Sequence, residues 1–260
     1  MNLANKLQLT ALLDKLTNVV NEAAKNSNNR YELWSNILNI LKIKEACEIG
    51  VWKGDFAKHL LSKVDGIEKY IFVDPWRNLP NWNKPLNVSN VEFEKVRNEA
   101  FEKNKLYFDK IKELRLPTKE AVKQIEDASL DFVYIDGDHT LRGITIDLIS
   151  ILPKIKKGGL IGGDDFTRNI WQHSDEFDPT EVFPFAIYFA EANDLTIFTL
   201  PFNQFLIVNL DLPFKLVDLG NYASLSPRQI YNKPKRLSLD DQLKYGVITQ
   251  QEYDDAQSGE

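Results

Sequence analysis

Apolar positions in the first forty residues recur at helical spacing. Leu7, Leu9, Leu12, Leu13, Leu16 and Val19 form one series, and Leu33, Ile37, Leu38 and Leu41 form a second after the polar break Asn26 to Arg30. Two helices are predicted there. The pattern then changes to short apolar runs near 45–49, 70–74, 112–116, 131–136 and 159–164, alternating with amphipathic stretches at 55–64, 90–108, 118–126 and 140–154. In the last stretch Leu141, Ile144, Leu148, Leu152 and Ile155 share a face. Such alternation predicts βα units in a mostly parallel sheet. A further helix is predicted over 181–193 from Val182, Phe185, Ala186 and Phe189. Leu195–Leu200 and Gln204–Asn209 then flank only Pro201-Phe202-Asn203, which predicts an antiparallel hairpin at the end of the sheet.

The pattern divides the chain into a helical extension (1–42), an α/β domain (43–210) and a polar, proline-interrupted tail (211–260). Within the tail, Ser238-Leu239-Asp240-Asp241 and Thr249-Gln250-Gln251-Glu252 have capping-box form, with Gly246 between them. A small helical hairpin is expected at 239–257, similar to short appendages through which enzymes associate into homo-oligomers. A net charge of -6 disfavours a nucleic-acid partner. Met1 to Lys25 carries charge inside every apolar stretch, so neither a signal peptide nor a membrane span is expected, and the protein reads as cytoplasmic. Cys47, the single cysteine, excludes an internal disulfide and reads as a buried small hydrophobe.

Candidate chemistry gathers at the strand ends. Glu48-Ile49-Gly50 closes the first predicted strand and Gly54 opens the next helix, which places a glycine turn and free backbone N–H groups at the strand's carboxyl edge. The same spacing also suits a turn that simply needs glycine. Asp74 ends the next strand, about twenty residues on, where α/β nucleotide folds place the acid that holds a ribose diol. Adenosine binding follows from the pair. Val51 and Trp52 fill the space that a G-x-G-x-x-G loop leaves open for a pyrophosphate, which disfavours NAD.

Four segments in order, Glu48–Gly54, Val73-Asp74-Pro75-Trp76, Leu130–His139 and Gly158–Asp165, resemble the successive motifs of class I S-adenosylmethionine-dependent methyltransferases. The nearest subgroup is the bacterial metal-dependent small-molecule and sugar O-methyltransferases, and the resemblance covers roughly residues 30–210. It implies a Rossmann-like α/β fold with a seven-stranded, mostly parallel sheet of order 3-2-1-4-5-7-6. It also implies S-adenosylmethionine as cofactor, with its methionine part against Glu48 and Gly50 and its ribose on Asp74. Pro75 and Trp76 are expected along the adenine and Thr118 at its edge, while Trp52, Gly54 and Asp136 complete the cofactor wall. For Trp76 an ordinary core position is the competing expectation.

Asp136 after the fourth predicted strand and Asp164 and Asp165 after the fifth are expected to meet at one edge. Three close carboxylates require protons or a cation, and a hard divalent ion such as Mg²⁺ prefers oxygen ligands. Coordinated to a hydroxyl, such an ion lowers its pKa and fixes its position. Catechol-type and sugar methyltransferases share this placement of acids, which supports metal at Asp136, Asp164 and Asp165; solvated strand-end turns are the alternative. His139 and Asp138 are the candidate bases, His139 because a neutral imidazole is available near pH 7, although it is equally placed to cap a helix starting at Thr140. His59 reads as a helix-surface residue and His173 as a loop residue.

The loop Trp76–Pro85 and the segment 166–180, with Arg168, Trp171, His173, Asp175 and Asp178, are expected to wall an acceptor site suited to a sugar, a glycosylated metabolite or a phenol. The expected activity is O-methylation of such a hydroxyl with a divalent metal. Metal-free methylation of nitrogen or carboxylate, an NAD-dependent oxidoreductase and a non-catalytic binding module are the rivals.

Overall fold

The computed structural model describes residues 3–167, 170–174 and 176–222, with Gln250 and Asp254. Apart from those last two residues, the expected tail hairpin lies outside this set, as do Arg168 and Asp175. By compactness the chain divides into Met1–Ser224 and Leu225–Glu260, and the fold below is that of the first unit.

Both N-terminal helices form, α1 over Leu3–Lys25 and α2 over Arg30–Leu41. The break between them is an N-cap, where the Asn29 side chain accepts the Glu32 N–H at 3.0 Å. Helix α2 buries Leu33, Trp34, Ile37 and Leu38, and the Trp34 ring lies 5.1 Å from Phe132 and 5.7 Å from Tyr134. No helix among the described residues is long and apolar enough to cross a membrane.

The strands are β1 (Glu45–Ile49), β2 (Lys69–Val73), β3 (Ile111–Leu114), β4 (Leu130–Ile135), β5 (Ile155–Gly163), β6 (Thr196–Leu200), β7 (Gln204–Val208) and β8 (Lys215–Asp218). They form one sheet of order 3-2-1-4-5-7-6-8, parallel from β3 through β5, with β7 antiparallel to both β5 and β6. The apolar runs of β1, β2 and β4 are covered on both faces, as central parallel strands require.

Two expectations need correcting. The sheet has eight strands rather than seven, because Lys215–Asp218 adds in parallel to β6. The folded body therefore continues past 210 to Tyr222, whose ring packs 5.2 Å from both Phe166 and Phe183. Three helices are also shorter than predicted. Helix α3 runs over Asp55–Lys63 as expected, but α4 (Asn90–Lys103) stops at Asn104, whose buried side chain donates to Gly54 O (3.0 Å) and Ala100 O (2.9 Å). Helix α5 spans only Thr118–Ala121, and α6 (Leu141–Ile151) yields to a 3-10 turn at Pro153, which cannot donate to the helix ladder. Helix α7 covers Val182–Ala192.

Candidate active site

Chain reversals at the carboxyl ends of β1, β2, β4 and β5 enclose a cavity of about 660 Å³, within the range of small-molecule sites. Glu48, the penultimate residue of β1, is 2% exposed; its Oε2 accepts the Tyr70 hydroxyl at 2.8 Å, and burial pushes its carboxyl well above the usual range. Gly50 turns the chain with φ 85°, and a Cβ there would lie 2.1 Å from the Asp136 carbonyl oxygen, so only glycine lets the β1 and β4 loops meet. Asp74 braces the same turn: Oδ2 accepts the Trp52 N–H at 2.9 Å and Oδ1 the Trp76 N–H at 2.8 Å. Burial raises Asp74 to about 6 despite these bonds.

Across the cavity Asp136, Asp138, Asp164 and Asp165 lie at the ends of β4 and β5. Arg30, the first residue of α2, reaches over the sheet edge; its Nη1 contacts Asp164 Oδ2 and lies 3.3 Å from Asp136 Oδ2. His139 Nδ1 is 2.5 Å from Asp165 Oδ2, and its Nε2 is 3.4 Å from Asp136 Oδ1. Burial alone would strip the imidazole of its proton, yet these two carboxylates hold its pKa up to about 10. Burial likewise opposes the charge on Asp165, but the His139 ring holds it down to about 2. Both acidic neighbours favour the charged imidazole, which works against the expected neutral base at His139. It is not the helix cap either, since Thr140 Oγ1 accepts the Gly143 N–H at 3.1 Å. Asp138 lines the cavity and accepts the Thr140 N–H at 3.0 Å through Oδ1, leaving it as the candidate base.

The structure brings Glu48, Gly50, Trp52, Asp74, Pro75, Thr118, Asp136, Asp138, His139, Asp164 and Asp165 to this one cavity. Gly54 stands just behind it, capping α3 with φ 70°. Trp76 is corrected: it is fully buried, its indole donates to Trp52 O at 2.9 Å, and its ring sits 5.9 Å from Phe101, inside the core rather than along an adenine. Of segment 166–180 only His173 lines the cavity among the described residues. Asp178 and Pro179 meet the 76–85 loop through Lys84, whose Nζ donates to Asp178 O at 2.7 Å and Pro179 O at 3.1 Å. His59, on α3, stacks against Tyr31 at 5.1 Å, away from the acids. Cys47 is buried as expected.

Residues the sequence pattern did not single out complete the site. Arg30 passed as part of a polar break, and nothing local marks it. Gln204 heads β7; its Oε1 accepts both the Trp34 indole and the Tyr134 hydroxyl at 2.8 Å, which turns Nε2 toward Asp164 Oδ1 at 2.5 Å. Asp147 did carry a signal, a lone acid on the buried α6 stripe of Gly143, Ile144, Leu148 and Ile151. Burial raises it to about 7 against a hydrogen bond with Thr118, and its Oδ2 has no partner.

Residues 47–166 match the family model described as a methyltransferase domain. No curated protein matches the chain by sequence. Among solved structures, a Staphylococcus aureus protein assigned as a caffeoyl-CoA O-methyltransferase is similar in fold, with TM-score 0.54 and 15% identity over 78% of this chain and 99% of that one. The cofactor-bound Rv0187 from MTB is similar at TM-score 0.51 and 13% identity, over 77% of this chain and 89% of that one. At such identities the likeness is one of fold, and the sheet order from β3 to β6 matches the class I arrangement. Residues 47–166 thus match a methyltransferase domain, and the fold around them is the class I arrangement of the similar solved structures.

Proposed function

We propose that this enzyme methylates a hydroxyl group of a sugar or sugar-bearing specialised metabolite, using S-adenosylmethionine held between Glu48 and Asp74. The residues present fit that cofactor. Glu48 offers a carboxylate to the methionine amino group, Asp74 keeps a lone pair on each oxygen for the ribose hydroxyls, and the partnerless Asp147 Oδ2 beside Thr118 suits an exocyclic amine. When bound, the cofactor supplies a methyl group on a sulfonium, open to in-line attack by an oxygen.

The observation that carries the reading is that Asp138 and the Arg30–His139–aspartate cluster face this pocket from the opposite edge of the same cavity. Asp138 accepts the acceptor's proton as its oxygen attacks, and the cavity walls hold the two reactants in line while excluding water. Trp82, Asn81 and His173 on the rim add the stacking and polar groups that suit a sugar ring.

A divalent ion at Asp136, Asp164 and Asp165 does not fit the donor set as arranged. Among the described residues no three His, Cys, Asp or Glu side chains are grouped to hold one, because Arg30 and His139 stand between the acids. The proposal is tested by incubating the enzyme with S-adenosylmethionine and a panel of sugars, nucleotide sugars, glycosides and phenols, read by mass spectrometry. A gain of one methyl on a hydroxyl of a sugar-bearing acceptor is expected. Methylation confined to amines, carboxylates or sugar-free phenols would contradict the acceptor assignment.

A further inference from the structure

All six carboxylate oxygens of Asp136, Asp164 and Asp165 face donors from this chain. Asp136 has Arg30 on Oδ2 and His139 on Oδ1, the latter at ion-pair distance. Asp164 has Arg30 on Oδ2 and Gln204 on Oδ1. Asp165 has His139 on Oδ2 and Gln172 on Oδ1 at 3.3 Å. The Gln204 amide cannot turn over to offer its oxygen instead, because that oxygen already accepts from Trp34 and Tyr134.

Arg30 joins the strand 4 acid to the strand 5 acid, the two ligands a bridging metal would have to share. A guanidinium stays charged at every physiological pH and presents several N–H groups in a plane, so it can serve two carboxylates at once. The side chain is held in place: Asn29 caps α2 immediately before it, and its guanidinium carbon lies 5.2 Å from the Tyr31 ring centroid. A dication beside it would meet repulsion from a fixed positive charge and would have to displace side chains that already face these oxygens.

We propose that Arg30, supplied by the N-terminal extension outside the family-matched segment, is the built-in counter-cation of the Asp136–Asp164 pair, so that this site is organised without a divalent metal. Arg30 is a positioning residue: it holds two carboxylates close together at the acceptor end of the cavity. The inference rests on the reading of that edge as part of a methyl-transfer site, and S-adenosylhomocysteine binding, measured on the same samples, reports on that reading separately.

The test is a Mn²⁺ titration followed by the electron paramagnetic resonance signal of the free ion, on wild type, Arg30→Met and Arg30→Gln, each checked for folding by circular dichroism. Wild type is expected to leave Mn²⁺ free at concentrations of about 100 µM, while at least one variant binds it about tenfold tighter or more because the acids lose their cation. Loss of that new binding in Arg30→Gln/Asp164→Asn would place it on the same acids. Tight binding by wild type that disappears in Asp164→Asn overturns the proposal. So does a folded pair of Arg30 variants that bind no better than wild type, since Arg30 would then not be what excludes the ion. Retained S-adenosylhomocysteine binding in either case would leave the methyltransferase reading standing.

Discussion

Asp147 illustrates how one buried carboxyl makes stability depend on pH. Its pKa is raised by burial to about 7, whereas an unfolded chain has it near the ordinary value of about 4. The folded state therefore binds the proton more tightly, and the resulting stabilisation is complete below about pH 4 and lost as pH rises through about 7. Asp147→Asn removes the charge at almost constant volume. In cofactor-free protein the variant should melt close to wild type at pH 4 and roughly 10 °C higher at pH 8. Asp74, raised to about 6, leaves a weaker slope of the same sign in the variant. Equal melting temperatures of variant and wild type at pH 8 would mean that Asp147 is solvated or paired rather than buried as an orphan. This residue was legible from sequence, since a lone acid on an apolar helical stripe is costly unless it has a task. Arg30 was not legible, because an arginine at a helix start in a polar break looks the same whether it faces water or two strand-end aspartates.

At the scale of elements, the alternation of short apolar runs and amphipathic stretches carried most of the fold, from β1 through the β6–β7 hairpin. It failed at β8, a four-residue, half-exposed edge strand in which only Leu216 and Val217 are apolar, too short for an alternation to show. It also failed for Trp76, because aromatic side chains after a strand suit a core and a ligand wall equally well. The contact between α2 and β5 is a sharper element-scale case. A Cβ on Gly162 would come within 2.2 Å of the Trp34 ring, and Trp34 in turn holds Gln204 against Asp164. Gly162→Ala should push the ring outward and cost about 1–3 kcal/mol, lowering the melting temperature by roughly 2–10 °C. An unchanged melting temperature would show that Trp34 is not packed flat on the sheet there.

For the molecule as a whole, the division of labour follows the topology. Strands β1 and β2 carry the acids proposed to hold the cofactor, β4 and β5 those proposed to face the acceptor, and the reversal of strand order between β1 and β4 sets the two groups across one cavity. The extension and the antiparallel end of the sheet each send one residue, Arg30 and Gln204, to the same aspartate. That Glu48 and Asp74 hold an adenosine-bearing sulfonium cofactor is tested most directly by isothermal titration with S-adenosylhomocysteine. Saturable binding at one site per chain is expected, weakened about tenfold or more by Asp74→Asn through loss of a charged acceptor, with no comparable binding of NADH. Absence of binding to the folded wild-type protein, or tight binding of NADH in its place, would contradict it.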